Sequence, residues 1–403
     1  MKSKIIIGKN FGDEGKGLAT DLYALEAVCD GLPAVCVRHN GGAQAGHTVD
    51  MPEARFVFSQ LSSASFRGLD TYWADSFMPD LFKLSSEVDN YHSVSNRLPK
   101  IYASPSCRCT YIGDVLINMM LETSRGSERH GSCGMGINEA SVRSENFPLR
   151  LGDVIGCTAE SLYKRLSELM YSYTPKRIEE LGINLDLSGE YSDLLFNADV
   201  LRRAAEEMSQ NADLIELRDT NFLTKFDEII FEGAQGLLLD EYNLEYAPHL
   251  TTSRTGLYEP SRILCSLFGT ECLPETEVIY VTRSYVTRHG AGPLPYEGML
   301  DPHGFCIIDN TNVHNEWQGT IRFAPHGTDE EFTSAVLRDF EGCDIPIKRT
   351  LFVTHLNETN GCIVIKDKTV PAERFADSDS IRNIFQSVRL SYSPFSKEVC
   401  TLF

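Results

Sequence analysis

No stretch of this chain approaches the roughly 18–20 consecutive apolar residues that a membrane helix needs, so a helical membrane span is excluded. A strand-like run (Lys4, Ile5, Ile6, Ile7) follows the first residues almost at once and leaves no room for a signal peptide. The cytoplasm is therefore the expected location. Positive charge is scarce: 37 Lys and Arg stand against 57 Asp and Glu, a net charge of -20. A surface that acidic repels phosphate backbones at long range, which argues against nucleic acid and anionic membranes as partners. No Cys-x-x-Cys pair occurs. The 12 cysteines are scattered, with only Cys107 and Cys109 close together, so free thiols in a reducing compartment are expected rather than a zinc framework. An internal repeat, a low-complexity tract and an obvious linker are also missing. With 403 residues, 42% hydrophobic and 23% charged, the chain reads as one folded domain spanning 1–403 with embellishments.

What is there is an alternation of short apolar runs with helical patterns, the signature of a mainly parallel sheet with crossover helices. Ile5–Ile7 leads through a glycine loop into a helix near Leu18–Val28, and Ala34–Val37 predicts a second strand. Residues 111–124, 159–172 and 198–208 predict helices. Glu228–Phe231, Val278–Thr282, Leu351–Thr354 and Cys362–Ile365 predict further strands. Polar or glycine-bearing loops follow several strands, at Gly12–Gly17, Gly41–Gly46, Gly233–Gly236, Gly290–Gly292 and His355–Asn357. In open α/β sheets the ligand crevice lies beyond the carboxyl ends of the strands, so these loops predict one composite site.

Five motifs carry chemistry. Gly12-Asp13-Glu14-Gly15-Lys16-Gly17 sits between an Ile-rich strand and a helix, where backbone N–H groups and a helix N-terminus suit phosphate. Lys16 adds charge for phosphate oxygens. Asp13 and Glu14 in such a loop imply a metal or a proton-transfer role, because a carboxylate facing phosphate is otherwise unfavourable. The spacing is not that of a Walker loop: Gly8 lies too far before Gly15, and Gly17 replaces Ser or Thr. The second motif, Arg38 to Thr48, is too glycine-rich around His47 to pack a core. It offers that imidazole as a donor to charge building on a phosphoryl or carbonyl oxygen. Phe231-Glu232-Gly233-Ala234-Gln235-Gly236 is weaker, since Gln235 could simply tie down a turn. Thr287-Arg288-His289-Gly290-Ala291-Gly292-Pro293 is the fourth. The fifth runs from Asn315 through Trp317, Gln318, Gly319 and Thr320 to Arg322, and suits binding of a carboxylate or phosphate by an arginine.

In this order the motifs resemble adenylosuccinate synthetase, from residue 4 to about residue 398. The resemblance implies an α/β fold with a P-loop-like, mainly parallel central sheet flanked by helices and carrying inserted subdomains. It implies a ligase of purine nucleotide biosynthesis that forms a C–N bond between L-aspartate and C6 of a 6-oxopurine nucleotide, IMP to adenylosuccinate, through a 6-phosphoryl intermediate. Asp13 would remove the N1 proton and, with the Gly46 carbonyl, hold Mg²⁺. His47 would stabilise the transferring charge. Lys16 and the loop residues Gly12, Glu14, Gly15 and Gly17 would bind the nucleoside triphosphate, GTP or ATP. Gln235 would contact the purine, Thr251 the aspartate or nucleotide phosphate, and Ser132 or Cys133 the acceptor's 5′-phosphate. Arg143 would reach into a partner's site, implying a homodimer. Arg322 would bind the aspartate carboxylates. His355, Asn357, Ser391 and Ser393 would hold the donor base.

The sequence departs from the family pattern at specificity positions. Gly-Thr-Thr-Gly reads Gly131-Ser132-Cys133-Gly134, and Thr320 stands where an Arg would read the acceptor ribose. The guanine-recognising Lys-Leu-Asp reads His355-Leu356-Asn357, and Ser-Thr-Gly-Pro reads Ser391-Tyr392-Ser393-Pro394. These departures are similar to those of the phage branch that uses dGMP, so (d)GMP is an alternative acceptor, although Asp13 is retained where that branch usually has a small hydroxyl residue. Two other classes stand against the ligase. A non-catalytic nucleotide sensor conflicts with the intact Asp13, Lys16 and His47. A GTPase switch would need a Walker loop and an Asn-Lys-x-Asp motif, and neither is present.

Overall fold

The computed structural model describes residues 1–403 apart from 127, 128, 130, 131, 133, 186–188, 302, 303, 308–318, 342 and 344. Its centre is a ten-stranded sheet. In chain order the strands are β1 (Lys2–Gly8), β2 (Ala34–Arg38), β3 (Asp70–Trp73), β4 (Ile101–Ala103), β5 (Ile215–Leu217), β6 (Glu228–Gly236), β7 (Glu275–Arg283), β8 (Ile347–Thr354), β9 (Ser387–Ser391) and β10 (Val399–Thr401). Across the sheet they run β10-β9-β8-β7-β1-β6-β2-β3-β4-β5. All neighbours are parallel except β9 and β10.

Both faces of the sheet are covered, and the strand sequences show it. Ile5 and Ile7 face one layer with Val35, Phe231, Val278 and Leu351. Ile6 faces the other with Cys36, Ile230, Ile279 and Phe352, under Leu18, Ala19, Leu22 and Tyr23 of helix α1 (Lys16–Cys29). A continuous apolar run is what a parallel strand buried on both sides requires. A third cluster joins Trp73, Phe56 and Phe58 to helices that include α2 (Ile112–Arg125) and the segments Ala159–Ser172 and Ala198–Asn211.

The predicted helices and strands are present, with two differences that matter for function. His47 begins a strand, in an antiparallel hairpin of His47–Met51 with Ala54–Phe58, rather than lying in a loop. Gly233–Gly236 belongs to the end of β6, where Gly236 pairs with Gly8 of β1. Cys362–Ile365 is a strand, as expected, but it pairs with Lys368–Pro371 outside the main sheet. Among the described residues no helix is long and apolar enough to cross a membrane.

Candidate active site

The phosphate loop is shaped by two close approaches. Gly12 has φ 111°, and a Cβ there would lie 3.0 Å from the Gln235 Cα, so the loop touches the end of β6 only because residue 12 is glycine. Gly17, where a Walker loop has a hydroxyl, would drive a Cβ to 2.5 Å from the Thr48 carbonyl. The missing side chain lets the His47 hairpin lie against the first turn of α1. Glu14 turns under the loop, where its Oε1 accepts from the backbone N–H groups of Asn10 (3.1 Å) and Gly12 (2.8 Å). Burial pushes its carboxyl up, opposed by Lys16 3.7 Å away. Glu14 therefore shapes the loop and does not face the cavity. Lys16 donates to the Gly12 carbonyl at 2.5 Å.

Two cavities open beside this loop. The first, about 420 Å³, is lined by Gly12, Asp13, Gly15, Lys16, Gly17, Gly46 and His47 at one end, and by His355, Asn357 and Ser393 at the other. The second, about 440 Å³, contains Ser132, Gln235 and Thr251. Asp13 belongs to the first, yet its Oδ2 lies 3.9 Å from Nε2 of His289 in the wall of the second. The cavities meet at that carboxylate. Gln235 reaches the second cavity with φ 63°, a left-handed conformation uncommon outside glycine and often found at functional sites.

His47 is buried, and its Nδ1 lies 2.8 Å from Oε1 of Glu232. The Glu232 carboxylate also accepts from the Ser63 N–H and hydroxyl, and Arg38 lies 3.9 Å away. Burial alone would raise the Glu232 carboxyl, but the His47 contact, Arg38 and Ser63 together hold it below the ordinary range. Burial depresses His47 to about 4, so it is neutral and its Nδ1–H donates a hydrogen bond to Glu232. Nε2 then carries the lone pair. Negative charge arriving beside it, with Glu232 already on Nδ1, favours the second proton and turns Nε2 into a donor.

Asp13 and the Gly46 backbone line the same end of the first cavity. A single carboxylate with a carbonyl fits Mg²⁺, which takes oxygen ligands, keeps several waters and is commonly bound through one or two carboxylates plus substrate phosphates. Among the described residues no cluster of three or more His, Cys, Asp or Glu forms a dedicated metal cage.

Other expected site residues lie elsewhere. Arg143 does not reach toward a partner. It is fully buried, paired bidentately with Asp114 (2.9 and 2.8 Å) and bonded to the carbonyls of Cys109 and Phe147. Burying a guanidinium is tolerable only with such a complete set of acceptors, and these consume the side chain's reach. The homodimer thus loses the residue that suggested it. Arg322 lies outside both cavities, with NH2 on the Gly290 and Gly292 carbonyls and NH1 on Glu297. Thr320 is outside both as well. Ser391 is buried and donates to the Ser393 carbonyl, so it shapes the turn that brings Ser393 to the first cavity. Cys133, Trp317 and Gln318 lie outside the described residues.

Sequence reasoning gave no role to Glu232, Arg283 or Arg125. Arg283, the last residue of β7, lines the first cavity and donates to the Asp13 carbonyl. A charged residue closing the mostly apolar run Val278–Thr282 was its only signal. Arg125, in the last turn of α2, lines the second cavity and pairs with Glu122. It looks like an ordinary surface helix pair until Ser132 is seen beside it, with its N–H 3.4 Å from the same Glu122.

Comparison with known proteins identifies the family. The family described as Adenylosuccinate synthetase matches residues 5–313. The adenylosuccinate synthetase of Microcystis aeruginosa is 30% identical over 301 residues, covering 74% of this chain and 63% of that protein. That of Azobacteroides pseudotrichonymphae is 28% identical over 336 residues, covering 81% and 72%. The aligned part thus spans about two thirds of the curated relatives' length. Among solved structures, the fully ligated adenylosuccinate synthetase of Plasmodium falciparum superposes with a TM-score of 0.68 at 16% identity, covering 99% of both chains. The succinoaminodeoxyadenylate synthetase of cyanophage S-2L, bound to dGMP and dATP, gives 0.61 at 12% identity, covering 99% of this chain and 95% of the other. At those identities the two structures speak for the fold, and the family match for descent: the chain belongs to the adenylosuccinate synthetase family.

Proposed function

We propose that the protein joins L-aspartate to C6 of a 6-oxopurine 5′-monophosphate, with a nucleoside triphosphate as phosphoryl donor and IMP as acceptor in the family's namesake reaction. The observation that carries this reading is the meeting of two nucleotide-sized cavities at Asp13. A donor in the first and an acceptor in the second bring a γ-phosphoryl group and a purine O6 to one carboxylate. The sheet supports treating the chain as one domain, because the strands under the donor loops come from both ends of the sequence.

Asp13 takes the N1 proton, and the electron pair moves to O6, which attacks the γ-phosphorus as the bond to the β-phosphate oxygen breaks. Phosphoryl transfer of this kind rests on positioning and electrostatics more than on covalent participation by the protein. Lys16, the loop N–H groups and the N-terminus of α1 hold the donor phosphates. His47, braced by Glu232, meets the transferring charge. Mg²⁺, held by Asp13 and the Gly46 carbonyl, would supply charge neutralisation on the phosphates. Gln235 contacts the base, Ser132 with Arg125 the 5′-phosphate, and Thr251 the incoming aspartate. Arg322 exchanges Glu297 for an aspartate carboxylate. The amine then displaces phosphate from C6, a far better leaving group than the oxo group it replaced. His355, Asn357 and Ser393 hold the donor base, over the buried Ser391.

Thr320 in place of an arginine supports weak discrimination between ribose and deoxyribose acceptors. The reading places the enzyme in the cytoplasm, without membrane or nucleic-acid partners. The test is a matrix of IMP, GMP and dGMP against ATP and GTP, with phosphate release followed with and without aspartate. Aspartate-dependent release that Asp13→Asn abolishes in a folded protein is the expected result. Nucleotide binding with no aspartate-dependent turnover would show a sensor instead.

A further inference from the structure

Two neighbouring strands of the sheet end at the phosphate loop, and each puts a side chain on the loop's main chain. Arg283 closes β7, Thr354 closes β8, and the two residues are register partners. The Arg283 Nε donates to the Asp13 carbonyl at 2.5 Å, and the Thr354 hydroxyl donates to the Glu14 carbonyl at 2.7 Å. The approach is close: a Cβ on Gly15 would lie 3.1 Å from Cγ2 of Thr354. A trans peptide points its N–H away from its C=O, so holding these two carbonyls fixes the N–H groups of Glu14 and Gly15 as well.

From Arg283 the contacts continue toward the other end of the first cavity. Its Nη1 donates to the Tyr285 hydroxyl at 3.0 Å, and that hydroxyl donates to the Glu358 carboxylate. Glu358 follows Asn357 in the helical turn Leu356–Thr359, and both line the cavity together with His355. Tyr285 is fully buried and belongs to neither cavity. Its hydroxyl spends its one proton on Glu358 and a lone pair on Arg283. The segment that holds the donor base and the loop that holds the donor phosphates are thus joined through the protein, by this strut of three side chains and by Thr354.

We propose that Arg283 is a positioning residue: with Tyr285 and Glu358 it carries the seating of the donor base to the main chain of Asp13. The base of the donor, and not its phosphates alone, then sets the carboxylate for removal of the N1 proton. This rests on the functional reading above and deepens it, giving the donor base a part in the chemical step. A general base must lie within hydrogen-bond reach of the proton it takes, and a misplacement on the order of 1 Å can cost about a hundredfold in rate.

The test measures kcat and the calorimetric Kd of ATP, with Mg²⁺ throughout, in the unmodified protein and in Tyr285→Phe, Arg283→Met and Arg283→Lys. Tyr285→Phe keeps the ring and removes only the hydroxyl, which guards against an Arg283 variant that fails to fold. kcat falls about tenfold in Tyr285→Phe and about tenfold to a hundredfold in Arg283→Met, while the Kd of ATP stays within about threefold. Arg283→Lys, whose ammonium can still donate to the Asp13 carbonyl, recovers part of the loss. Amide exchange in Gly12–Lys16 is then followed at saturating ATP and at saturating inorganic triphosphate, without acceptor or aspartate. In the unmodified protein ATP slows exchange about threefold or more beyond triphosphate, and in Tyr285→Phe and Arg283→Met that difference disappears. Turnover of Tyr285→Phe within about twofold of the unmodified protein, a loss seen only in Kd, or an exchange difference that Tyr285→Phe retains, overturns the proposal. If the exchange contrast is present while no acceptor is turned over, the ligase reading falls and the strut stands.

Discussion

The Nδ1–H of His47 donates a hydrogen bond to Glu232 across 2.8 Å, and both side chains are buried. The pair holds the imidazole in one orientation and favours its second protonation when negative charge appears at Nε2. Glu232→Gln keeps an accepting oxygen and removes the charge. Hydrogen bonds to charged groups contribute roughly 1.5–3 kcal/mol, so kcat should fall about tenfold to a hundredfold, with KM for the donor changed much less. His47→Asn should cost more, about 10²–10³-fold in kcat. Near-normal turnover in folded Glu232→Gln would mean the carboxylate only props up the hairpin.

Arg143 and Asp114 predict a folding phenotype rather than a shared site. Arg143→Leu strands a buried carboxylate, and breaking such a pair from one side costs roughly 3–5 kcal/mol. The double replacement Arg143→Leu with Asp114→Leu should recover a good part of that loss in chemical denaturation. Mixing Arg143→Leu with Asp13→Asn protein should restore no activity beyond that of the separate components. Complementation in such a mixture would return the arginine to a partner's site and contradict the burial described here.

The donor should be ATP or dATP at least as readily as GTP. Guanine offers N1–H and a 2-amino group to a carboxylate, whereas Asn357 in the first cavity carries no charge and has a single accepting oxygen. Its amide can pair with adenine, donating to N1 and accepting from the 6-amino group. Asn357→Asp should move the kcat/KM ratio toward GTP by one to two orders of magnitude, from the roughly 1.5–3 kcal/mol of a charged hydrogen bond. Strict GTP dependence in the unmodified protein would show that another side chain reads the base.

Acid should destabilise the fold through His39 and His326. Burial depresses both to about 3, with Arg38 and Lys9 respectively adding to the effect. Between the ordinary value of 6.5 and that depressed value, the unfolded chain binds protons that the native one does not. Stability therefore falls as pH drops below 6.5. Each histidine contributes a slope of about 1.4 kcal/mol per pH unit once pH is well below 6.5. His326 Nε2 donates to the Arg283 carbonyl at 2.9 Å, and a glutamine amide can do the same. His326→Gln should thus flatten the slope of unfolding free energy between pH 6 and 5 by less than one proton per molecule and by more than half of one. An unchanged slope would place the proton uptake on other groups.

The centre of the fold was legible because its determinants are local. The Ile5–Ile7 run, the glycine loop and α1 follow one another in the sequence, and the pattern of each survives in the structure. The short strands Ile101–Ala103 and Ile215–Leu217 were not legible, since three residues carry too little periodicity to separate a strand from a loop. That Asp13, Lys16 and His47 would come together at one cavity was legible because carboxylate, amine and imidazole in glycine-rich settings have little structural use. The fate of Arg143 could not be read at all. Whether an arginine points outward or closes on an aspartate 29 positions earlier depends on how α2 meets the helix Ile137–Ser144, which is a tertiary fact.

The position of β1 has a consequence for how the enzyme is made. Ile5 lies between Phe231 of β6 and Val278 of β7, both synthesised more than two hundred residues later. The strand that launches the phosphate loop is made well before the two strands that flank it. Until then an Ile-rich segment has no sheet to join, and the closure of so long a loop makes its docking slow. The first cavity, whose lining includes residues after β8, is complete only once residues as late as Ser393 have been made. A nascent chain that ends before β8 therefore carries the complete Gly12–Gly17 sequence but lacks part of the lining of that cavity, and its Ile-rich strand stays unpaired and open to chaperones.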